Sequence, residues 1–244
     1  RLSTQRLKAD PGAYSVYCND GFTLAQLVVE AVSGLDFTDF LHTYITGPSS
    51  LNATLTPADT FDTAQLAKTY LTADSTEALP VETVNIIGCG GIYATASDLA
   101  SFGGLFCGEE LLTQASLDAM AAPEYANGLW PEDSEDDVLS YGLGWDAVQF
   151  FPFRQNDIQA LVKGGDTLNY HSGLIVLPEY DLAVAVVSSG GVSTRMISSP
   201  NRRTADQGNT RSSSRPSSPN RRSRPGTTSA LTLPVSRSSS TSPT

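Results

Sequence analysis

Histidine is nearly absent from this sequence: His42 and His171 are the only two in 244 residues. That count excludes a catalytic or metal centre built on several histidines. Cysteine is scarce as well. Cys18, Cys89 and Cys107 are odd in number and show no Cys-x-x-Cys spacing, so neither a disulfide framework nor a zinc site is signalled. They read as small buried hydrophobes. No run approaches eighteen consecutive apolar residues, which leaves no candidate membrane span. The chain starts at Arg1 with no signal segment in view, as an N-terminal truncation would leave it.

Basic residues are also few, and they are unevenly placed. Only Arg1, Arg6, Lys8, Lys68, Arg154 and Lys163 precede position 193, against 25 acidic residues, so that body carries −19. Residues 193–244 hold nine Arg and one acidic residue, Asp206, and carry +8. An acidic body repels phosphates, so nucleic acid is not its expected partner. The tail has 15 Ser and six Pro in 52 residues and no aromatic residue. It lacks the apolar surface needed to offset ordering entropy and is expected to be disordered. Charge, composition and periodicity all change near position 192, as a shifted reading frame or a gene-model error would produce, and the sheet face before it is expected to lack a covering helix. Such a tail also resembles an Arg-Ser nucleic-acid-binding segment.

What is present is a hydrophobic fraction of 40%, enough for a core. Leu24, Leu27, Val28 and Val32 recur at helical spacing and Gly34 follows, predicting a helix over 22–34. Further helices are expected over 37–45 and 63–71, with loop over 72–82. Residues 86–93, with Gly88, Gly90 and Gly91, read as a close-packed turn or broken strand. Thr95 to Asp98 has the capping-box pattern and predicts a helix over 99–106. Another helix is expected over 113–120. The acidic run 131–137 reads as a solvated loop, because calcium loops need fixed spacing and a glycine. Strands are expected over 141–145, 158–163, 172–177 and 182–188, the last two joined by Pro178-Glu179-Tyr180-Asp181. Helices followed by adjacent strands predict an α+β fold, an antiparallel sheet flanked by helices. The expected division is a helical part over 1–85, a helix-plus-sheet part over 86–192 and the tail over 193–244.

Two short motifs suggest chemistry. Tyr17-Cys18-Asn19 places a phenol and an amide on a loop before a helix. A phenol beside a cation can serve as a general base, and an Asn can orient a substrate amide. Lys163-Gly164-Gly165 follows an apolar run. The lysine offers charge to a carboxylate, and glycines let a substrate backbone lie close. A turn with a packed aromatic, and a strand end with a glycine bulge, are the structural alternatives.

The ordered set carries more than either motif. Pro11-Gly12, Tyr17-x-Asn19, the helix to Gly34, Gly90-Gly91-x-x-x-Thr95-Ala96-x-Asp98-Leu99, Tyr141-Gly142-Leu143-Gly144-Trp145 and Lys163-Gly164-Gly165 are followed by two strands. Over about residues 10–191 this succession resembles the β-lactamase-related serine hydrolases: class C β-lactamases, D-Ala-D-Ala carboxypeptidases and esterases. The resemblance implies a β-lactamase/transpeptidase-like fold, incomplete at its N-terminus. It implies an extracytoplasmic parent acting on a small-molecule or peptidoglycan-like substrate, with no cofactor and no metal; oligomeric state is left open. By position, Tyr17 matches the tyrosine that helps activate the nucleophile and Asn19 the substrate contact of the same motif. Lys163 and Gly165 match the ends of the Lys-Thr-Gly or His-x-Gly motif. Gly164 departs from the usual Thr or Ser, leaving Thr167 as a candidate replacement hydroxyl. The family nucleophile is the Ser of a Ser-x-x-Lys motif well upstream of the tyrosine. No Ser-x-x-Lys occurs in this chain; Ser3 is followed at the third position by Arg6. The expected function is therefore that of a serine hydrolase fragment that is inactive by itself. The alternative is a non-catalytic binding protein that keeps the fold.

Overall fold

The computed structural model describes residues 4, 6, 9–13, 15–70, 74–124 and 140–189, and the backbone of Leu231–Thr232. The acidic run 131–137 lies outside the described residues, as does the tail apart from Leu231–Thr232.

Helix α1 spans Asn19–Ser33, capped at its start by Cys18, whose sulfur accepts from the Gly21 N–H at 3.3 Å. Gly34 ends it in the left-handed region at φ 71°, its N–H bonding the Glu30 carbonyl at 2.9 Å. Cys18 is thus an exposed cap rather than a buried hydrophobe, and Cys89 and Cys107 are only half-buried. Asn19 begins the helix instead of preceding it on a loop.

Helix α2, Phe37–Leu41, passes into a wider turn over His42–Thr46, where the Gly47 N–H reaches the His42 carbonyl at 3.0 Å. Of the helix expected over 63–71, the described residues form only one 3₁₀ turn, Thr63–Gln65. The Ala67 carbonyl accepts from the Tyr170 hydroxyl at 2.7 Å and the Thr69 carbonyl from the Leu79 N–H at 2.8 Å, so long-range partners take the acceptors a helix would use. Residues 86–93 contain a short helix α3, Ile87–Gly90, after which Tyr93 bridges to Leu55.

Helix α4 spans Ala96–Gly104, starting earlier than the periodicity suggested because Thr95 itself is the cap, accepting from the Asp98 N–H at 3.1 Å. The Asp98 carboxylate turns away from the cap to hold the Ala53 N–H at 2.8 Å and the Thr54 hydroxyl at 3.0 Å. Helix α5 is Gln114–Ala121.

The sheet is antiparallel in the order β1-β2-β3-β4, with β1 Leu161–Asp166, β2 Tyr170–Leu177, β3 Leu182–Ser189 and β4 Leu231–Thr232. Pro178–Tyr180 and Asp181, at φ 50°, make the β2–β3 turn. One face buries Leu161, Leu174, Val176, Ala183 and Ala185 with Ala100, Phe106, Leu117 and Trp145. Fully burying a Val, Leu or Phe side chain stabilises by about 1.5–3 kcal/mol. Gly103 lets α4 lie against this face: a Cβ there would sit 2.8 Å from Leu174 and 2.9 Å from Ala183. The other face packs Val162 with Ala147, Ala160 and Phe150.

No strand forms at 141–145. Gly144 is at φ 84° and the Gly142 N–H bonds the Trp145 carbonyl at 3.1 Å, making a turn that drives Trp145 into the core edge-on to Phe106 at 4.9 Å. No helix among the described residues is long and apolar enough to cross a membrane.

Candidate active site

Side chains alternate across a strand, so Lys163 and Gly165 share the helix-facing side of β1 with buried Leu161. The Lys-Gly-Gly run is neither a strand end nor a bulge. Its register is unbroken: Lys163 pairs with Leu174, Gly164 with Gly173 and Gly165 with Ser172. A Cβ on Gly165 would meet the Ser172 Oγ at 2.6 Å, so glycine keeps this strand surface open.

The turn that buries Trp145 delivers Asp146 to the lysine one residue later. The Asp146 N–H bonds the Val162 carbonyl at 2.9 Å, fixing the turn to β1. Its Oδ2 then accepts from the Lys163 Nζ at 3.3 Å and from the Gly164 N–H at 2.8 Å. Lys163 also donates to the Gly164 carbonyl. An ammonium has three N–H donors, so one remains for a ligand after these contacts. The Lys163 Nζ lies 5.9 Å from the centroid of the Tyr17 ring, within cation–π reach.

Tyr141 completes the group. Burial pushes its phenol above the ordinary tyrosine value, and the charges of Asp146 and Tyr17 push the same way. It therefore keeps its proton to higher pH than an ordinary tyrosine. The cluster of Tyr17, Tyr141, Asp146 and Lys163 therefore holds one cation, one carboxylate and two phenols at the edge of the sheet.

Of the six residues singled out from sequence, Tyr17 and Lys163 are brought together, with Gly164 and Gly165 beside the lysine. Asn19 sits in the first turn of α1, two residues from Tyr17, and its carbonyl accepts from the Thr23 hydroxyl at 3.2 Å. Thr167 is engaged elsewhere. Its hydroxyl donates to Glu82 Oε2 at 2.8 Å and accepts from the Tyr170 N–H at 3.0 Å. Glu82 also holds the N–H groups of Leu168 at 3.2 Å and Asn169 at 3.0 Å, clamping the whole β1–β2 connection. Sequence reasoning missed Asp146 and Glu82, and it named Tyr141 only within the ordered set, without a role in the site. Asp146 and Tyr141 were within reach, since they flank the Gly-Leu-Gly-Trp turn; Glu82 sits in a polar loop and gives no local signal.

The sequence model of the β-lactamase family matches residues 1–209. The chain belongs to the β-lactamase family. The match runs past position 192 into the Ser/Arg-rich stretch. The chain is 25% identical over 200 residues to the D-alanyl-D-alanine-carboxypeptidase/endopeptidase AmpH of Escherichia coli K12, covering 80% of this chain and 50% of that protein. Among solved structures, the penicillin-binding protein from Bacillus halodurans superimposes with a TM-score of 0.59 at 21% identity, over 80% of this chain and 57% of that one. The D-amino acid amidase from Ochrobactrum anthropi SV3 superimposes with a TM-score of 0.56 at 21% identity, over 75% and 57%. These likenesses establish the β-lactamase/transpeptidase-like fold. This β-lactamase-family chain spans half the length of AmpH.

Proposed function

We propose that the chain forms the cleft-lining part of a serine hydrolase acting on an amide or ester bond, in a β-lactam, a D-Ala-D-Ala peptide or a small ester, through an acyl-enzyme. The observation that carries this reading is the Tyr17 ring at 5.9 Å from the Lys163 ammonium, on a strand kept open by Gly165. In this reading Tyr17 takes the proton of an attacking hydroxyl. Lys163 holds the negative end of the substrate, Asn19 orients its amide, and the Gly164-Gly165 backbone lines it. Thr167 would have to release Glu82 to offer its hydroxyl. The parent protein is extracytoplasmic, where peptidoglycan-like substrates are met.

A second reading, a non-catalytic peptidoglycan- or ligand-binding protein of the same fold, is favoured by one fact. None of the 244 residues forms a Ser-x-x-Lys pair. In both readings the chain by itself forms no acyl-enzyme. Incubation with a fluorescent penicillin, then a denaturing gel and mass spectrometry, is expected to show no stoichiometric adduct; one labelled serine would overturn this. In the polypeptide extended by its own upstream coding sequence, acylation is expected, and Tyr17→Phe is expected to slow it by about 10²- to 10⁴-fold. Saturable penicillin binding without a covalent adduct in that extended protein would select the binding-protein reading.

A further inference from the structure

An unpaired lysine on an open strand attracts a carboxylate, but Lys163 is paired. The Asp146 Oδ2 stands 3.3 Å from its Nζ, and the Gly164 N–H fixes the same oxygen at 2.8 Å. The Asp146 side chain is only 20% exposed, so water screens its charge less than at the surface. That charge reaches the rest of the cluster: after burial, it is the next cause that raises the Tyr141 phenol. Lys163 and Asp146 together contribute no net charge, within a body that carries −19. The neighbouring positions add no hydroxyl for a carboxylate. Gly164 has no side chain, and the Thr167 hydroxyl donates to the Glu82 Oε2 at 2.8 Å, beside a second negative charge. What remains on Lys163 is one N–H, enough for a carbonyl oxygen. Val16, next to Tyr17, and Leu143, two residues after Tyr141, add exposed apolar surface.

We propose that Asp146 is a specificity-determining residue of this cleft. By pairing with Lys163 it selects acyl substrates that are uncharged at the end seated on β1, a neutral ester or a capped amide, and disfavours those that end there in a free carboxylate. A repulsive charge against the wrong ligand gives specificity as surely as a good contact to the right one. In this arrangement Lys163 donates to a carbonyl oxygen, whose partial charge needs no counter-ion. A full carboxylate within reach of Lys163 is also within reach of Asp146. Like charges that close, in a partly buried site, oppose binding more than one remaining N–H favours it. Of the substrates considered for the cleft, this favours the small ester over a D-Ala-D-Ala peptide with its carboxyl end free. The substrate class rests on the serine hydrolase reading; the discrimination between neutral and charged ligands does not.

The test uses the chain as it stands and two ligands that differ only at that end: N-acetyl-D-alanyl-D-alanine and its methyl ester. The amide shifts of Gly164 and Gly165 are followed by nuclear magnetic resonance as each is added, so binding is read at β1 without breaking a bond. The ester is expected to bind about ten-fold more tightly than the acid. Asp146→Asn keeps an oxygen for the Gly164 N–H and removes the charge. In that variant the acid is expected to gain about ten-fold and the ester to change by less than about three-fold. The overall acidity of the body does not produce such a split, since the other carboxylates are untouched. An acid that binds the native chain as well as its ester does, or a variant that moves both ligands alike, overturns the proposal. So does a chain in which neither ligand shifts Gly164 or Gly165. If the variant fails to fold, the ratio of the two ligands on the native chain decides alone. Serine chemistry is read separately, by mass spectrometry of the extended protein after a neutral activated ester. No adduct with the ester preference intact removes the hydrolase reading and keeps Asp146 as the selector of a binding site; an adduct with the acid preferred does the reverse.

Discussion

Helices α4 and α1 are both capped at each end of an apolar pattern, but they meet opposite surroundings. α4 buries Ala100 and Gly103 against β2 and β3, and Phe106 just beyond it stacks edge-on with Phe102 at 5.4 Å and Trp145 at 4.9 Å. α1 leaves its apolar stripe, Leu24, Leu27, Val28 and Val32, in solvent. It meets the rest of the chain on the side of Gln26, Glu30 and half-buried Val29, where Gln26 accepts from the Gly88 N–H and Glu30 from the Phe37 N–H. Periodicity therefore reports an apolar face; it does not say whether the described residues cover it. The sheet supplies the cover for α4, and the described residues supply none for the stripe of α1.

The comparison breaks most readily by truncating one side chain in each region. Phe106→Ala removes an aromatic ring from the filled core and is expected to cost about 3–5 kcal/mol. Leu27→Ala removes a half-exposed side chain and is expected to stay within about 0.5–1 kcal/mol. Urea unfolding of both variants checks this. Similar losses would mean that the stripe of α1 is already packed in solution.

A smaller effect is expected at the loop that joins the sheet to the helical side. Glu82→Gln keeps the shape but removes the charge that accepts from Thr167, Leu168 and Asn169. Hydrogen bonds to charged groups contribute about 1.5–3 kcal/mol each, and partial exposure here reduces that. The expected outcome is a loss of about 1–2 kcal/mol together with faster hydrogen exchange at Leu168 and Asn169. Unchanged exchange would show that the clamp does not hold the loop.

These contrasts also show what was legible beforehand. The β2–β3 hairpin was readable because Pro178 to Asp181 is turn chemistry between two alternating runs, and the Thr95 cap because its hydroxyl is followed by Asp98. The strand expected at 141–145 failed because alternation there is overridden by Gly142 and Gly144, which turn the chain so that Trp145 can fill the core. The proximity of Tyr17 to Lys163 spans 146 positions and has no local signature; only the ordered resemblance to a family suggested it. The direction of the α1 stripe was likewise illegible, since periodicity is blind to what covers a face.

The α2 region offers a test by acid. Asp59 accepts from His42 Nε2 at 3.0 Å and from the Thr56 N–H at 2.7 Å. Burial alone would raise its carboxyl, but the Thr56 N–H and His42 more than offset that and hold it below the usual carboxylate range. A carboxylate depressed in the folded state adds stability above its unfolded value, about 3.9, and loses it as pH falls through the folded value. The expected outcome is that Asp59→Asn lowers stability at neutral pH and flattens the fall below about pH 4. A variant whose stability falls as steeply below that pH as the native chain's would sink the assignment.

The smallest expected effect lies in the candidate site and runs to the alkaline side. Tyr141 is raised by burial first, then by the charge of Asp146 and by Tyr17. A phenol raised in the folded state contributes stability below its unfolded value, about 10, and loses it as pH rises through the folded value. Burial, then the charge of Glu82 and Tyr93, raises Tyr170 as well, so ultraviolet titration of the folded chain should show two late-ionising tyrosines, of which Tyr141→Phe removes one. Asp146→Asn should move that component back toward the ordinary range without erasing it, because burial remains. This separates the two causes. If Asp146→Asn leaves the late component where it was, the carboxylate is not electrostatically coupled to Tyr141. The Lys163–Asp146 pair at 3.3 Å would then be a structural tie for β1 rather than part of one charged cluster with the two phenols.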